Sequence, residues 1–326
     1  MKTIRSDKYR RRRRRSDRTK RLMVLAIIGG AVLLAAAAVA IVLLLLLPNR
    51  SAQVDPNTEP PSVTSEASLS STDEQTAQMA KINPNAATAK TTGKLSYQSL
   101  YPELYVPIVE KIPAKEGAKV VYLTFDDGPS QLTEDLLQEL KQENVKATFF
   151  LTCQGDVTSE TKRLIKAIAD EGHAIGIHTF SHNYQKIYAS VESFLEDFSK
   201  MNDVIYEATG EKATIFRFAG GSYNSYNQKT YKDIIAEMER RGYTYFDWNV
   251  DSGDSASDAT GKSIYTTTVD GITSNNKSIV LMHNSGTKKD TVKQVGAIIR
   301  AAKKKGYSFD LLDPTVKPFS FAFPEN

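Results

Sequence analysis

Residues 116–326 predict a parallel α/β domain whose strands close toward a barrel. Two observations predict it. Short β-rich runs alternate with segments of helical period, strand then helix, to the end of the chain. Seven such runs occur, a number that suits barrel-like closure, and the residues able to do chemistry gather where the runs end.

Residues 1–21 form a basic tail, with twelve Lys or Arg against two Asp. The whole chain carries a formal charge of +4, so everything after the tail is net acidic. That balance excludes a basic nucleic-acid-binding domain. Residues 22–47 contain no charged residue and extend roughly 39 Å as a helix, against a hydrocarbon core of about 30 Å. The apolar run continues past the small residues 35–38, so the segment reads as an uncleaved transmembrane helix rather than a signal peptide. Arg10–Arg15 just before it put the N-terminus in the cytoplasm and the rest of the chain outside the cell membrane. The same arginines are expected to touch anionic membrane lipid. Residues 48–94 are rich in Ser, Thr, Asn, Pro and Gln without apolar period, and read as a disordered linker. Aromatic and aliphatic residues return over 95–115, a lead-in that packs on the domain.

Within the domain, strands are expected at 119–125, 146–152, 174–178, 214–218, 244–250, 278–283 and 307–312. Helices are expected at 131–143, 159–170, 190–208, 228–241, 262–272 and 288–305. In the first helix Leu132, Leu136, Leu137 and Leu140 share one face. The second opens on capping residues and closes on Gly172. The single cysteine, Cys153, excludes an internal disulfide and reads as a small buried hydrophobe.

Five strand-end stretches carry candidate chemistry. "TFDDGPS" places Asp126 and Asp127 side by side at the end of an apolar run. Burying two carboxylates is costly unless something pairs with them, and a metal could take one and leave its neighbour free for proton transfer. "HTFSHN" holds His178 and His182, two of only four histidines. If the segment turns helically, both imidazoles face one metal. With Asp127 they make a two-histidine, one-carboxylate set with open positions, suited to Zn²⁺ hydrolysis and also to Fe²⁺. His173 reads as structural. "FRFAGGSYN" ends an apolar strand on Arg217, which needs an anion if buried; Asp126 is the obvious one. "DWNVDSGD" contains the only tryptophan, Trp248, among loop carboxylates. "IVLMHNSG" ends an apolar strand on His283.

In this order the five stretches resemble the motifs of the polysaccharide deacetylase family, the NodB-homology carbohydrate esterases that include peptidoglycan N-acetylglucosamine deacetylases. The resemblance spans about residues 116–312. It implies a distorted (β/α)7 barrel and metal-dependent deacetylation. It implies Asp126 as catalytic base, Asp127, His178 and His182 as metal ligands, and Arg217 as the residue that orients the base. It further implies His283 as general acid, Asp251 as the carboxylate supporting that histidine, and Trp248 and Leu281 as lining of the acetyl pocket. The metal is expected to be zinc, with iron(II), cobalt or nickel as alternatives. The third motif departs from the family, which usually has proline and then an aromatic residue or glycine where Ala219 and Gly220 stand. A main-chain N–H near Gly220 that binds an oxyanion needs no particular side chain. The aromatic wall that shapes sugar binding is not assured.

The expected substrate is an N-acetylated cell-wall polysaccharide, peptidoglycan N-acetylglucosamine first. The alternatives are O-acetyl groups, another surface polysaccharide, or an inactive glycan-binding wall module.

Overall fold

In the computed structural model the described residues are 95–112, 117–154 and 156–324. The expected cytoplasmic tail, membrane span and linker lie outside them. Among the described residues no helix is long and apolar enough to cross a membrane.

The element order is β1 (Val120–Asp126), α1 (Thr133–Gln142), β2 (Thr148–Leu151), α2 (Ser159–Asp170), β3 (Ala174–Ile177), α3 (Tyr184–Ile187), α4 (Val191–Thr209), β4 (Ile215–Phe216), α5 (Tyr231–Arg240), β5 (Thr244–Tyr245), β6 (Val250–Asp251), α6 (Gly261–Thr273), β7 (Lys277–His283), α7 (Lys289–Lys304) and β8 (Ser308–Phe309). Strands pair in parallel in the order β5-β4-β3-β2-β1-β7-β6, with β8 alongside the start of β1.

The expected single strand at 244–250 is broken, and the break explains the closure. β5 pairs with β4 at one edge of the sheet and β6 pairs with β7 at the other. The Phe246 N–H still donates to the Phe216 carbonyl (3.0 Å), while the Asn249 N–H already donates to the Ile279 carbonyl (3.2 Å). Three residues of extended chain span at most about 10 Å, so the two edges lie within that distance of one another. One chain segment therefore crosses the seam and serves both edges as two short strands. The sheet is a curled parallel half-barrel wrapped in helices.

Strand parity divides the core into an outer and an inner part. On β1, Val121, Leu123 and Phe125 point outward and join the main core with the leucines of α1. Tyr122 points the other way, into a smaller cluster with Phe150, Ile215, Phe246, Ile279 and Leu312 that fills the barrel floor. By the same parity Thr124 and Asp126, Leu281 and His283, and Arg217 face the interior above that floor. The register sets Asp126 directly opposite His283 and Thr124 opposite Leu281.

The lead-in makes two 3₁₀ turns, Ser96–Ser99 and Pro102–Leu104. It is tied down by the fully buried Arg241, which donates to the carbonyls of Tyr101 (2.7 Å) and Leu100 (2.8 Å) and pairs with Glu237 at 2.7 Å. His173 accepts a hydrogen bond from the Ala147 N–H at Nδ1 (3.1 Å), and burial, with the charge of Lys146, pushes its pKa down to about 4. It is a neutral structural ring. Burial pushes the Cys153 thiol up to about 11, which makes it a poor nucleophile.

Candidate active site

Asp126 is the last residue of β1, and only 2% of its surface is exposed. Its partner is Arg217, whose Nη1 lies 2.9 Å from Oδ1. Arg217 is completely buried, which is tolerable only because its donors are used. Beyond Asp126 it donates to Thr124 Oγ1 (2.6 Å) and to the Phe246 carbonyl (2.9 Å). Its guanidinium lies over the ring of Phe150, 4.4 Å from the centroid, with Trp248 at 5.6 Å. The expected anion for this arginine is the one it meets.

Asp127 leaves the strand with φ = +69°, a left-handed backbone that turns its carboxylate away from that of Asp126. His182 also has positive φ, +54°. Such geometry costs of order 1–3 kcal/mol per residue and persists where surrounding contacts impose it. The "HTFSHN" segment is not the helical turn the spacing suggested. It is an irregular loop between β3 and α3, and a buried carboxylate holds it: Asp197 of α4 accepts the N–H groups of Phe180 (2.6 Å) and Ser181 (3.0 Å). Thr179 Oγ1 accepts the His182 N–H at 3.1 Å. The loop brings the two imidazoles to 5.5 Å between centroids without a helix.

Among the described residues Asp127, His178 and His182 form a group able to hold a metal, their ligand atoms all within 4.8 Å of one another. Asp127 Oδ1 is 3.2 Å from His182 Nε2 and 3.7 Å from His178 Nε2. Bonds of about 2.0–2.1 Å at tetrahedral angles put ligand atoms about 3.3–3.4 Å apart, so the spacing fits a zinc-sized ion. The same Oδ1 is buried with no hydrogen-bond partner. His178 Nδ1 lies 2.9 Å from the Arg217 carbonyl, which can only accept; Nδ1 therefore carries the proton and Nε2 turns its lone pair to the site. Burial lowers the His178 pKa against the pull of Asp126 and Asp127, keeping the ring neutral. Burial alone would raise Asp127, but the close approach of His182 and the nearby imidazoles of His178 and His283 hold it well below the usual carboxylate range.

His283 ends β7 on the opposite wall. Its Nδ1 lies 2.7 Å from Asp254 Oδ1, and its N–H donates to Asp254 Oδ2 at 2.9 Å. Burial works to lower its pKa, but the hydrogen bond and charge of Asp254, with the charges of Asp126 and Asp127, raise it above the ordinary value. Asp254 is lowered in turn, its burial outweighed by His283 and by hydrogen bonds including one from Thr291.

The carboxylate on His283 was expected to be Asp251, and this is corrected by the geometry. Asp251 is exposed, and its Oδ1 accepts the Gly253 N–H two residues on, at 2.8 Å. That local turn, with Gly253 at φ = +70°, carries the chain round so that Asp254, 5% exposed, reaches the imidazole instead. The Asp-x-Gly sequence was the available signal, since an aspartate two residues before such a glycine satisfies its own turn. Asp197 and Asp247 were also missed. Asp197 sits among Phe194, Phe198 and Met201 on the apolar face of α4, a charge where the helical period calls for none. Asp247 is fully buried; it accepts from Ser222 N–H (2.9 Å) and Phe321 N–H (2.8 Å) and pins the chain's last segment beside Trp248.

A cavity of about 370 Å³ opens between these walls. Asp126, Asp127, His178, His182 and His283 line it, with Tyr184, Gly220, Trp248, Asp251, Ser255 and Leu281. Arg217 lies beneath it.

A family profile described as "Polysaccharide deacetylase" matches residues 114–244. A peptidoglycan-N-acetylglucosamine deacetylase of Bacillus cereus is 31% identical over 235 residues, 70% of this chain and 82% of the relative. The chain belongs to the polysaccharide deacetylase family. YheN of Bacillus subtilis (strain 168), named as a polysaccharide deacetylase, is 34% identical over 62% of this chain and 70% of its own length. Among solved structures, the catalytic domain of a peptidoglycan N-acetylglucosamine deacetylase from Eubacterium rectale superposes with a TM-score of 0.61 at 35% identity, over 67% of this chain and 98% of that one.

Proposed function

We propose that this chain is a metal-dependent hydrolase that removes N-acetyl groups from cell-wall glycan outside the cell, with peptidoglycan N-acetylglucosamine as the substrate sugar. Residues 22–47 anchor it, and the arginines before them contact lipid on the cytoplasmic side. The observation that carries the reading is the sharing of one cavity. A three-residue metal group, a buried carboxylate and a histidine with a raised pKa all face it, the last two directly opposite on neighbouring strands.

Asp127, His178 and His182 are the residues that would hold the metal. A divalent ion there, zinc by ligand set and spacing, supplies Lewis-acid polarisation of the amide carbonyl and acidifies water. Asp126, fixed by Arg217, accepts the proton of the attacking water. His283, protonated with the help of Asp254, gives a proton to the sugar nitrogen as the C–N bond breaks. Water is consumed, and acetate and a free amino sugar leave. Trp248 and Leu281 enclose the acetyl methyl group and keep bulk water from the reacting carbon.

Acetate release from purified peptidoglycan by the metal-loaded protein, abolished by a chelator and restored by zinc, tests the reading. Glycan binding without acetate release would overturn it.

A further inference from the structure

Gly220 lies exposed at the cavity rim with φ = +75°. A side chain there would meet the ring of Tyr184: an added Cβ would lie 3.2 Å from Cε2 and 3.5 Å from Cζ. The tyrosine thus takes the ground beside the metal group that a residue at 220 would cover, and it comes from a different element, the single turn α3 after the "HTFSHN" loop. Its ring packs edge-on against His182 at 5.2 Å and against Tyr226 at 5.3 Å. Tyr226 stands 50% exposed on the loop after β4. Asn224 braces that loop, donating to the Ala219 carbonyl (3.1 Å) and accepting the Tyr226 N–H (2.8 Å).

Tyr184 is not placed as core tyrosines are. Its neighbour Tyr188 is 3% exposed and gives its hydroxyl to the Ala219 carbonyl at 2.8 Å. Tyr184 is half-buried, lines the cavity, and among the described residues its hydroxyl has no hydrogen-bond partner. An aromatic face open to the cavity matches a pyranose, which offers C–H groups on its own face.

We propose that Tyr184 of α3, backed by Tyr226, is the platform on which the acetamido sugar stacks. The inference rests on the deacetylase reading above and adds the residue that selects the sugar ring. Tyr184 is a specificity-determining residue here, with no part in proton transfer or metal binding.

The test uses the full-length chain, loaded with zinc, and the β-1,4-linked tetramer of N-acetylglucosamine. Tyr184→Ala should raise KM about tenfold, with kcat within about threefold and zinc content unchanged, since stacking contributes mainly to binding. Tyr184→Phe, which keeps the face, should stay within about twofold of wild type. An unchanged KM in Tyr184→Ala overturns the platform. So does loss of zinc, which would make Tyr184 a mere support for His182, and so does a Phe variant as impaired as the Ala variant. If the wild-type protein releases acetate from neither the tetramer nor purified peptidoglycan, the deacetylase reading is what fails. Titration of the tetramer into wild type and Tyr184→Ala then decides the platform, and equal Kd values overturn it.

Discussion

His178 and His283 both end apolar parallel strands, both face the same cavity, and both are held at Nδ1, yet the protein makes them opposites. His178 gives its Nδ1 proton to a main-chain carbonyl, that of Arg217, and burial lowers its pKa. It stays neutral, with a lone pair free at Nε2. His283 gives its Nδ1 proton to a carboxylate, Asp254, and its pKa is raised. It is the one of the two fitted to carry a proton at Nε2 and release it. The partner behind the ring, rather than the ring or its place at a strand end, decides which imidazole is kept neutral and which is fitted to hold a proton. Arg217 links the two halves, since its carbonyl orients His178 while its guanidinium orients Asp126.

The largest effect that would break this comparison is loss of the metal group. His178→Ala is expected to lose bound metal and all measurable activity, as are His182→Ala and Asp127→Ala. His283→Ala is expected to retain metal. Metal content of the purified variants reads this directly, and full occupancy in His178→Ala would place the site elsewhere.

Next in size are the two proton-transfer groups. Asp126→Asn should keep its metal and lose about 10²–10⁴-fold in kcat, because an amide accepts no proton from water. His283→Ala should lose a comparable factor, mainly in kcat. Loss of metal from Asp126→Asn would show that the neighbouring aspartates do not divide their work as proposed.

A smaller effect sharpens the comparison at its origin. Asp254 raises the His283 pKa, and the acid works only while protonated, at pH below that value. Asp254→Asn should therefore move the alkaline limb of the pH–rate profile to lower pH and reduce kcat by about 10–100-fold. Asp251→Asn should leave the limb where it is, because its carboxylate is committed to the Gly253 N–H. A limb that moves with Asp251 and not with Asp254 would reverse the assignment.

Much of this was legible before the structure. Strand–helix alternation placed nearly every element, because an apolar period follows directly from which side of a strand or helix is covered. Asp126, Arg217 and His283 were legible as polar residues ending apolar runs, and in the folded sheet strand parity turns them to the inner face. Residue types, spacing and the resemblance all pointed to Asp127, His178 and His182 as one group able to hold a metal, and the structure brings the three together. The helical turn expected for His178 and His182 was not found. Spacing states only that two rings can share a side, and the loop that achieves it is shaped by Asp197, remote in the chain.

What the sequence determined by itself is therefore the alternating α/β architecture and the identity of the residues at the strand ends. Both follow from local patterns of burial and from residue chemistry. The tertiary structure alone decided that one chain segment, 244–251, serves both edges of the sheet, and that Asp254 rather than Asp251 stands behind His283. It alone set the ring of Tyr184 in the place left open by Gly220. These depend on where a turn points a side chain and on which distant backbone fills the neighbouring space, and no period or motif encodes a direction in three dimensions.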